Sequence, residues 1–288
     1  MLKRELDSSK IKILVCCHKP CEHPKDDIFL PIQVGAAISD VDLGIQRDDQ
    51  VNGEPCDNIS AKNKTYCELT AIYWAWKNIK KLYPDLEYIG LCHYRRYFDF
   101  ETNSLIEIKN YNINSIKDFH TNRTIIRTTI EKAIGILPSP IHLPYSVKKN
   151  WFINHYEKDI ENIERLVTEK YPSFKESFED FFYNQNFFSQ YNMFILPVDY
   201  FMCYADWLFS IMFDFEKKTD LQKYSDYQSR LYGFLAERLL NVYIKNNKIK
   251  VKYSTIAFFD ETPKKNKGIL FYFVRDLIRK LIFFIKSK

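Results

Sequence analysis

The stretch Asp57–Phe98 constrains the fold more than any other part of the chain. A polar lead-in, Asp57-Asn58-Ile59-Ser60-Ala61-Lys62-Asn63, opens an amphipathic segment. A mostly apolar run, Leu86–Cys92, then passes directly into His93-Tyr94-Arg95-Arg96-Tyr97-Phe98. Leu69, Ile72, Tyr73, Trp76 and Ile79 recur at helical spacing, which predicts one buried face. Thr65-x-x-Glu68 reads as a capping box with Thr65 as N-cap, and Pro84 predicts the end. Helix then buried strand is the repeating unit of a layered α/β protein, and such proteins bind ligands at strand ends and helix starts.

Both polar clusters fall at those places. Asp57, Asn58, Ser60, Lys62 and Asn63 place many hydrogen-bonding side chains before one helix, an arrangement suited to phosphate or sugar hydroxyls. Arg95 and Arg96 offer forked donors for a diphosphate. Continuous strand alternation would put His93 and Arg95 on one face and Tyr94 and Arg96 on the other, so one arginine reaches a ligand. The plainer alternatives are a helix cap for Glu68 and a surface ion-pair cluster for the arginines. An anionic ligand, most simply a nucleotide sugar, accounts for both clusters together.

Around this stretch the chain alternates. Ile11–Cys17 is a continuous apolar run, predicting a strand covered on both faces, with His18 and Lys19 at its end. Phe29–Ala37 reads as extended. Thr124–Ala133 predicts a short helix, Gly135–Pro138 a strand, and the prolines after it a loop carrying His142 and Tyr145. The C-terminal half is helix-rich: 150–171, 174–182, 199–215 and 224–244 all read as helices, the last with Gly233 inside it. Tyr191–Pro197 and Val251–Phe259 complete the strands, with Asn192 at the head of the first.

Composition excludes several classes. Only seven Gly occur in 288 residues, and neither GxGxxG nor GxxxxGK[ST] is present, which disfavours a dinucleotide fold or a P-loop. The seven Cys include no CxxC pair, so reduced thiols are expected rather than a zinc or disulfide framework. Charged Met1–Lys10 and the brevity of Ile11–Cys17 do not form a signal peptide. Residues 264–288 carry eight Lys or Arg and one Asp, a net of +7, leaving −2 for residues 1–263. A nucleic-acid face on the body is therefore not expected. The division is a body, 1–263, and a basic tail, 264–288, whose Arg275, Asp276, Arg279 and Lys280 form one stripe on an apolar helix. Such a helix suits an anionic membrane surface better than a span. The alternative is a helix docked on the protein's own core.

Four motifs, NISAKNKTYCELTAIYWAWKN from Asn58, IGLCHYRRYF from Ile89, QYNMFILP from Gln190 and YGFLAERLL from Tyr232, resemble one bacterial family over roughly Lys12–Tyr253. It is the family of capsular and lipopolysaccharide biosynthesis glycosyltransferases long filed as a domain of unknown function, galactofuranosyltransferases among them. The resemblance implies a GT-A-like, Rossmann-type α/β sandwich with a mostly parallel central sheet, a helical C-terminal half and the amphipathic tail helix. It implies transfer of a hexose, with inversion, from a nucleoside-diphosphate donor such as a UDP-sugar. The acceptor would be a lipid-linked or oligosaccharide chain of a capsule, exopolysaccharide or O-antigen, with the protein on the inner face of the plasma membrane. GT-A enzymes hold a divalent metal, Mn²⁺ or Mg²⁺, through Asp-x-Asp. Here His93-Tyr94-Arg95-Arg96 occupies that place and only Asp99 follows, so His93 is the candidate ligand if a metal binds. Inverting transfer needs a carboxylate base. Glu237 is the candidate, with Asp226 and Glu68 behind it. His18, Asp57, Asn58, Ser60, Lys62, Asn63, His93, Arg95, Arg96 and Asn192 are the donor-site candidates. The rival readings are a sugar-phosphate phosphotransferase or hydrolase, and a non-catalytic glycan- or membrane-binding protein.

Overall fold

A computed structural model describes residues 7–286. Strand β1 (Ile11–Cys17) is buried along its whole length, as a continuous apolar run requires. It pairs in parallel with β2 (Phe29–Gln33) on one side and with β4 (Tyr88–His93) on the other. Beyond β2 lies the short β3 (Gln46–Arg47). The remaining strands are β5 (Arg96–Asp99), β6 (Ile108–Asn112), β7 (Gly135–Pro138), β8 (Phe194–Pro197) and β9 (Val251–Asp260). The nine run in the order β8-β7-β9-β5-β4-β1-β2-β3, with β6 on β9 and a further pairing of β8 with β4. Five pairings are parallel and four antiparallel. The sheet is thus mixed, with parallel pairings only narrowly in the majority rather than dominant as expected, because β5 returns from β4 by a tight hairpin and β8 enters antiparallel.

Those two strands share one edge of β4. β8 pairs with Tyr88–Leu91, whereas β5 meets β4 only at His93↔Arg96. The sheet therefore forks at His93. Gly90 permits the fork, since a Cβ there would lie 2.9 Å from the Phe194 carbonyl.

Strand parity separates two cores. Leu14 and Cys16 face a large helical layer, while Ile13, Val15 and Cys17 face a smaller one containing Tyr97, Ile126 and Phe259. The large layer holds α2 (Leu69–Leu82), α5 (Glu157–Lys170), α6 (Val198–Glu216) and α7 (Leu231–Asn246). Trp74, Trp151, Phe201 and Tyr232 are fully buried in it, each worth about 1.5–3 kcal/mol.

Several expected helices are subdivided. α1 (Asn63–Tyr66) stops at Cys67, whose φ of 53° and ψ of −132° break the chain before α2. Thr65 donates to the Lys62 carbonyl at 3.2 Å and caps nothing, so the capping box is absent. The expected 150–171 helix is two, α4 (Val147–Asn154) and α5, with His155 extended between them. α3 (Arg123–Ile130) is capped by Asn122, which accepts from the Ile125 amide at 3.0 Å. α7 begins only at Leu231, after two short 3₁₀ turns.

The tail forms α8 (Ile269–Lys286); its last basic residue, Lys288, lies outside the described residues. Arg275 makes a two-pronged pair with Glu107 at 2.9 and 2.6 Å. Asp276 lies 3.1 Å from His142, and Arg279 donates to the His142 carbonyl at 2.6 Å. Arg275, Asp276 and Arg279 of the stripe thus face the body while Lys280 stays exposed, and His142 faces the tail.

Candidate functional site

At the fork, a cavity of about 700 Å³ opens among the ends of β1 and β4, the Cys67 break and the start of α7. Its wall includes Cys16, His18, Asn63, Lys64, Cys67, Glu68, His93, Tyr94, Arg96, Tyr191, Asn192, Tyr227, Arg230, Gly233 and Glu237. The helices α2 and α7 start against it, so two positive helix ends are directed there.

Tyr191 ties the site together. Its carbonyl accepts from His93 Nε2 at 2.7 Å, and its amide donates to Glu237 Oε1 at 2.5 Å. A carbonyl only accepts, so His93 carries its proton on Nε2; burial holds the ring below the usual imidazole value and keeps it neutral. Arg96 lies over the Tyr191 ring, 4.8 Å from its centroid, and makes no ion pair among the described residues. His93 and Arg96 reach the cavity together because Tyr94-Arg95 form the hairpin turn, which cancels the alternation expected of a continuous strand. Arg95 is turned away to Asp260 and Glu261 at 3.7 and 3.5 Å.

Two carboxylates face the cavity, and they differ. Glu237 has both oxygens engaged, one by the Tyr191 amide and one by the buried Arg238. Burial pushes its carboxyl up and the Arg238 guanidinium down, each opposed by the other's charge. The expected base is therefore an anchor by its geometry. Glu68 is half-buried, and one oxygen accepts from Asn192 Nδ2 at 2.7 Å. Its charge is felt at Cys16, Cys67, His93, Arg230 and Glu237, so it sits at the electrostatic centre of the wall.

Asn192 also donates to the Gly233 carbonyl at 3.1 Å, and its own Oδ1 is buried without a partner. Gly233 is where α7 approaches the Cys67 break: a Cβ would sit 3.2 Å from Cys67 Cβ. Arg230 precedes α7 and donates to Cys67 Sγ at 3.3 Å. A cation at a helix N-terminus opposes the dipole, and this is the signal that sequence reading passed over. His18 stands at the rim edge-on to Tyr94; partial burial and the charges of Lys19 and Arg230 lower its imidazole pKa.

The structure thus brings together His18, Asn63, His93, Arg96, Asn192 and Glu237 of the expected residues. Asp57 accepts from the Tyr73 hydroxyl at 3.0 Å, Asn58 caps the Ser60 amide, Ser60 is buried against Asp48, and Lys62 pairs with Glu216 at 2.6 Å. These four lie outside the cavity and hold the approach to α1. Among the described residues no cluster of three or more His, Cys, Asp or Glu fits a metal ion. His93 Nε2 is committed to Tyr191, and Asp99 is buried against Thr102 and Tyr111. The donor set for a GT-A metal is therefore not assembled here.

A mixed sheet flanked by helical layers, with an open cavity at its forked strand ends, places the chain in the class of layered α/β proteins. Residues 12–248 match the family described as a domain of unknown function (DUF4422), and the chain belongs to that family. No curated protein matches it. Among solved structures it is similar to the WbbM bifunctional glycosyltransferase in its apo form, with 28% identity and a TM-score of 0.76. The match covers 90% of this chain and 47% of that one, so this chain spans about half of WbbM.

Proposed function

We propose that the chain is a glycosyltransferase acting from a nucleoside-diphosphate sugar, and that Glu68 is its base. The observation that carries this reading is a carboxylate with one uncommitted oxygen, ringed by Arg96, Arg230, Lys64 and His18 at two helix N-termini. The diphosphate lies against the cations and helix ends, where charge developing on the leaving group is stabilised. Tyr94 and Tyr227 at the rim supply faces for the base or sugar. The acceptor hydroxyl oxygen bonds to the anomeric carbon as the bond to the diphosphate breaks, and its proton passes to Glu68. Configuration inverts in a single displacement. Asn192 holds Glu68 and offers its unpartnered Oδ1 to a sugar hydroxyl. Glu237 fixes the Tyr191–Asn192 turn.

Similarity to a glycosyltransferase supports the reaction class. A UDP-hexose, galactofuranose among the candidates, and a capsular, exopolysaccharide or O-antigen acceptor are the substrates the family resemblance points to. The test is a thermal-shift panel of nucleotides and nucleotide sugars with and without Mn²⁺, followed by nucleoside-diphosphate release with and without oligosaccharide acceptors. Saturating UDP should stabilise the fold by about 2–3 kcal/mol, and release should require acceptor. Acceptor-independent release would identify a hydrolase and overturn the proposal.

A further inference from the structure

Viewed down α8, the chain separates cleanly into two faces. Tyr272, Arg275, Asp276 and Arg279 face the body, with the Tyr272 hydroxyl donating to the Ile108 carbonyl at 3.1 Å. Leu270, Phe273, Leu277, Leu281 and Ile285 point outward and are 48–71% exposed. At about 3.6 residues per turn, these and their neighbours Val274 and Ile278 form one apolar arc of roughly 140° along about 23 Å of helix. This is the reverse of an ordinary surface helix, whose charges face water. Three of the four charges in the stripe are engaged inward, Arg275 by Glu107, Asp276 by His142 and Arg279 by the His142 carbonyl, while Lys280 is exposed.

We propose that α8 is an interfacial membrane helix worn with its charged stripe inward, and that its outward apolar face lies in the surface of an anionic bilayer while the helix stays docked. Charge complementarity selects the occupant. Lys264, Lys265, Lys280 and Lys286 have no ion-pair partner among the described residues, and they bracket the apolar arc. Lysines at the margins of an apolar face reach phosphate headgroups while the face enters the acyl boundary. A second copy of the chain, equally basic here, would bring those lysines together. No described helix is long and apolar enough to cross a membrane, so α8 lies along the surface. The docking pair also lies near the cavity, since the Glu107 charge reaches Tyr191 on its wall.

This inference is independent of the proposed reaction. The test is flotation of the full chain with phosphatidylcholine vesicles and with vesicles containing phosphatidylglycerol. The native chain should float with the anionic vesicles in preference to the phosphatidylcholine ones. That preference should fade at about 1 M salt, where charges are screened within about 3 Å, leaving the weaker apolar binding. Equal flotation with both vesicles at low salt would overturn the anionic assignment. Phe273→Lys with Leu277→Lys should lower vesicle affinity at least about tenfold without changing the melting temperature. Arg275→Ala should retain vesicle binding while speeding amide exchange across α8. The proposal is overturned if the apolar double variant floats like the native chain. It is equally overturned if the native chain is a dimer that this variant dissolves and neither form binds vesicles.

Discussion

Glu68→Gln separates chemistry from architecture. Gln keeps the shape of the side chain, and its amide oxygen still accepts from Asn192 Nδ2, now 2.7 Å from Glu68 Oε1. A neutral acceptor replaces a charged one, a change of about 1 kcal/mol on the scale of hydrogen bonds to charged groups. The melting temperature should fall by only about 2–4 °C. What Gln cannot do is take the acceptor proton. A positioned general base contributes about 10²–10⁴-fold, or roughly 3–5 kcal/mol of barrier. The assay is acceptor-dependent nucleoside-diphosphate release, read beside donor binding by calorimetry. Turnover should drop by at least about two orders of magnitude, with donor affinity within about threefold. A Glu68→Gln protein with near-native turnover would refute the assignment and return the role to Glu237.

Three other perturbations follow from the geometry. Glu237→Gln removes the carboxylate from buried Arg238 and should cost about 3–5 kcal/mol in urea unfolding, with activity falling as the Tyr191–Asn192 turn loosens. Arg96→Ala or Arg230→Ala should weaken nucleotide binding about 10–100-fold, whereas Lys62→Ala, outside the cavity, should change it less than about twofold. His155, packed between Trp151 and Phe234, has its imidazole pKa lowered to about 4 by burial. A depressed folded value means stability present above the unfolded pKa of about 6.5 and lost as pH falls toward 4, on the order of 2 kcal/mol once the full linkage of about 3.4 kcal/mol is discounted for the ring's partial exposure, and His155→Phe should flatten that stretch of the stability–pH curve.

Elements with long periodic patterns were legible in the sequence. Ile11–Cys17, Tyr88–His93 and the α2 face follow directly from apolar spacing. What escaped reading depends on backbone turns with no glycine to announce them. The Tyr94–Arg95 hairpin turn, the Cys67 break and the Tyr191–Asn192 turn contain none, so alternation and helix periodicity were carried through them. Two of these turns move a side chain: the hairpin turns Arg95 away from His93, and the Cys67 break frees Glu68, a candidate base in sequence, from the capping box its spacing also suggested. Asp57, Ser60 and Lys62 were drawn into the site because they are polar and precede a helix. Their partners Tyr73, Asp48 and Glu216 lie 16, 12 and 154 residues away, separations that no local pattern reveals.

Five residues other than glycine have left-handed φ among those described, and three of them, Cys67, Tyr191 and Asn192, line the cavity. Conformations of this kind cost about 1–3 kcal/mol each. A screen for heat resistance would therefore find its easiest gains here, where Gly relieves the backbone. Those winners would be the wrong proteins to keep. Cys67 is the elbow that turns the Glu68 carboxylate toward Asn192, and a looser elbow spreads that carboxylate over many positions. Stability and turnover should move in opposite directions at Cys67, which makes the two measured together a gauge of how much the fold invests in holding one carboxylate still.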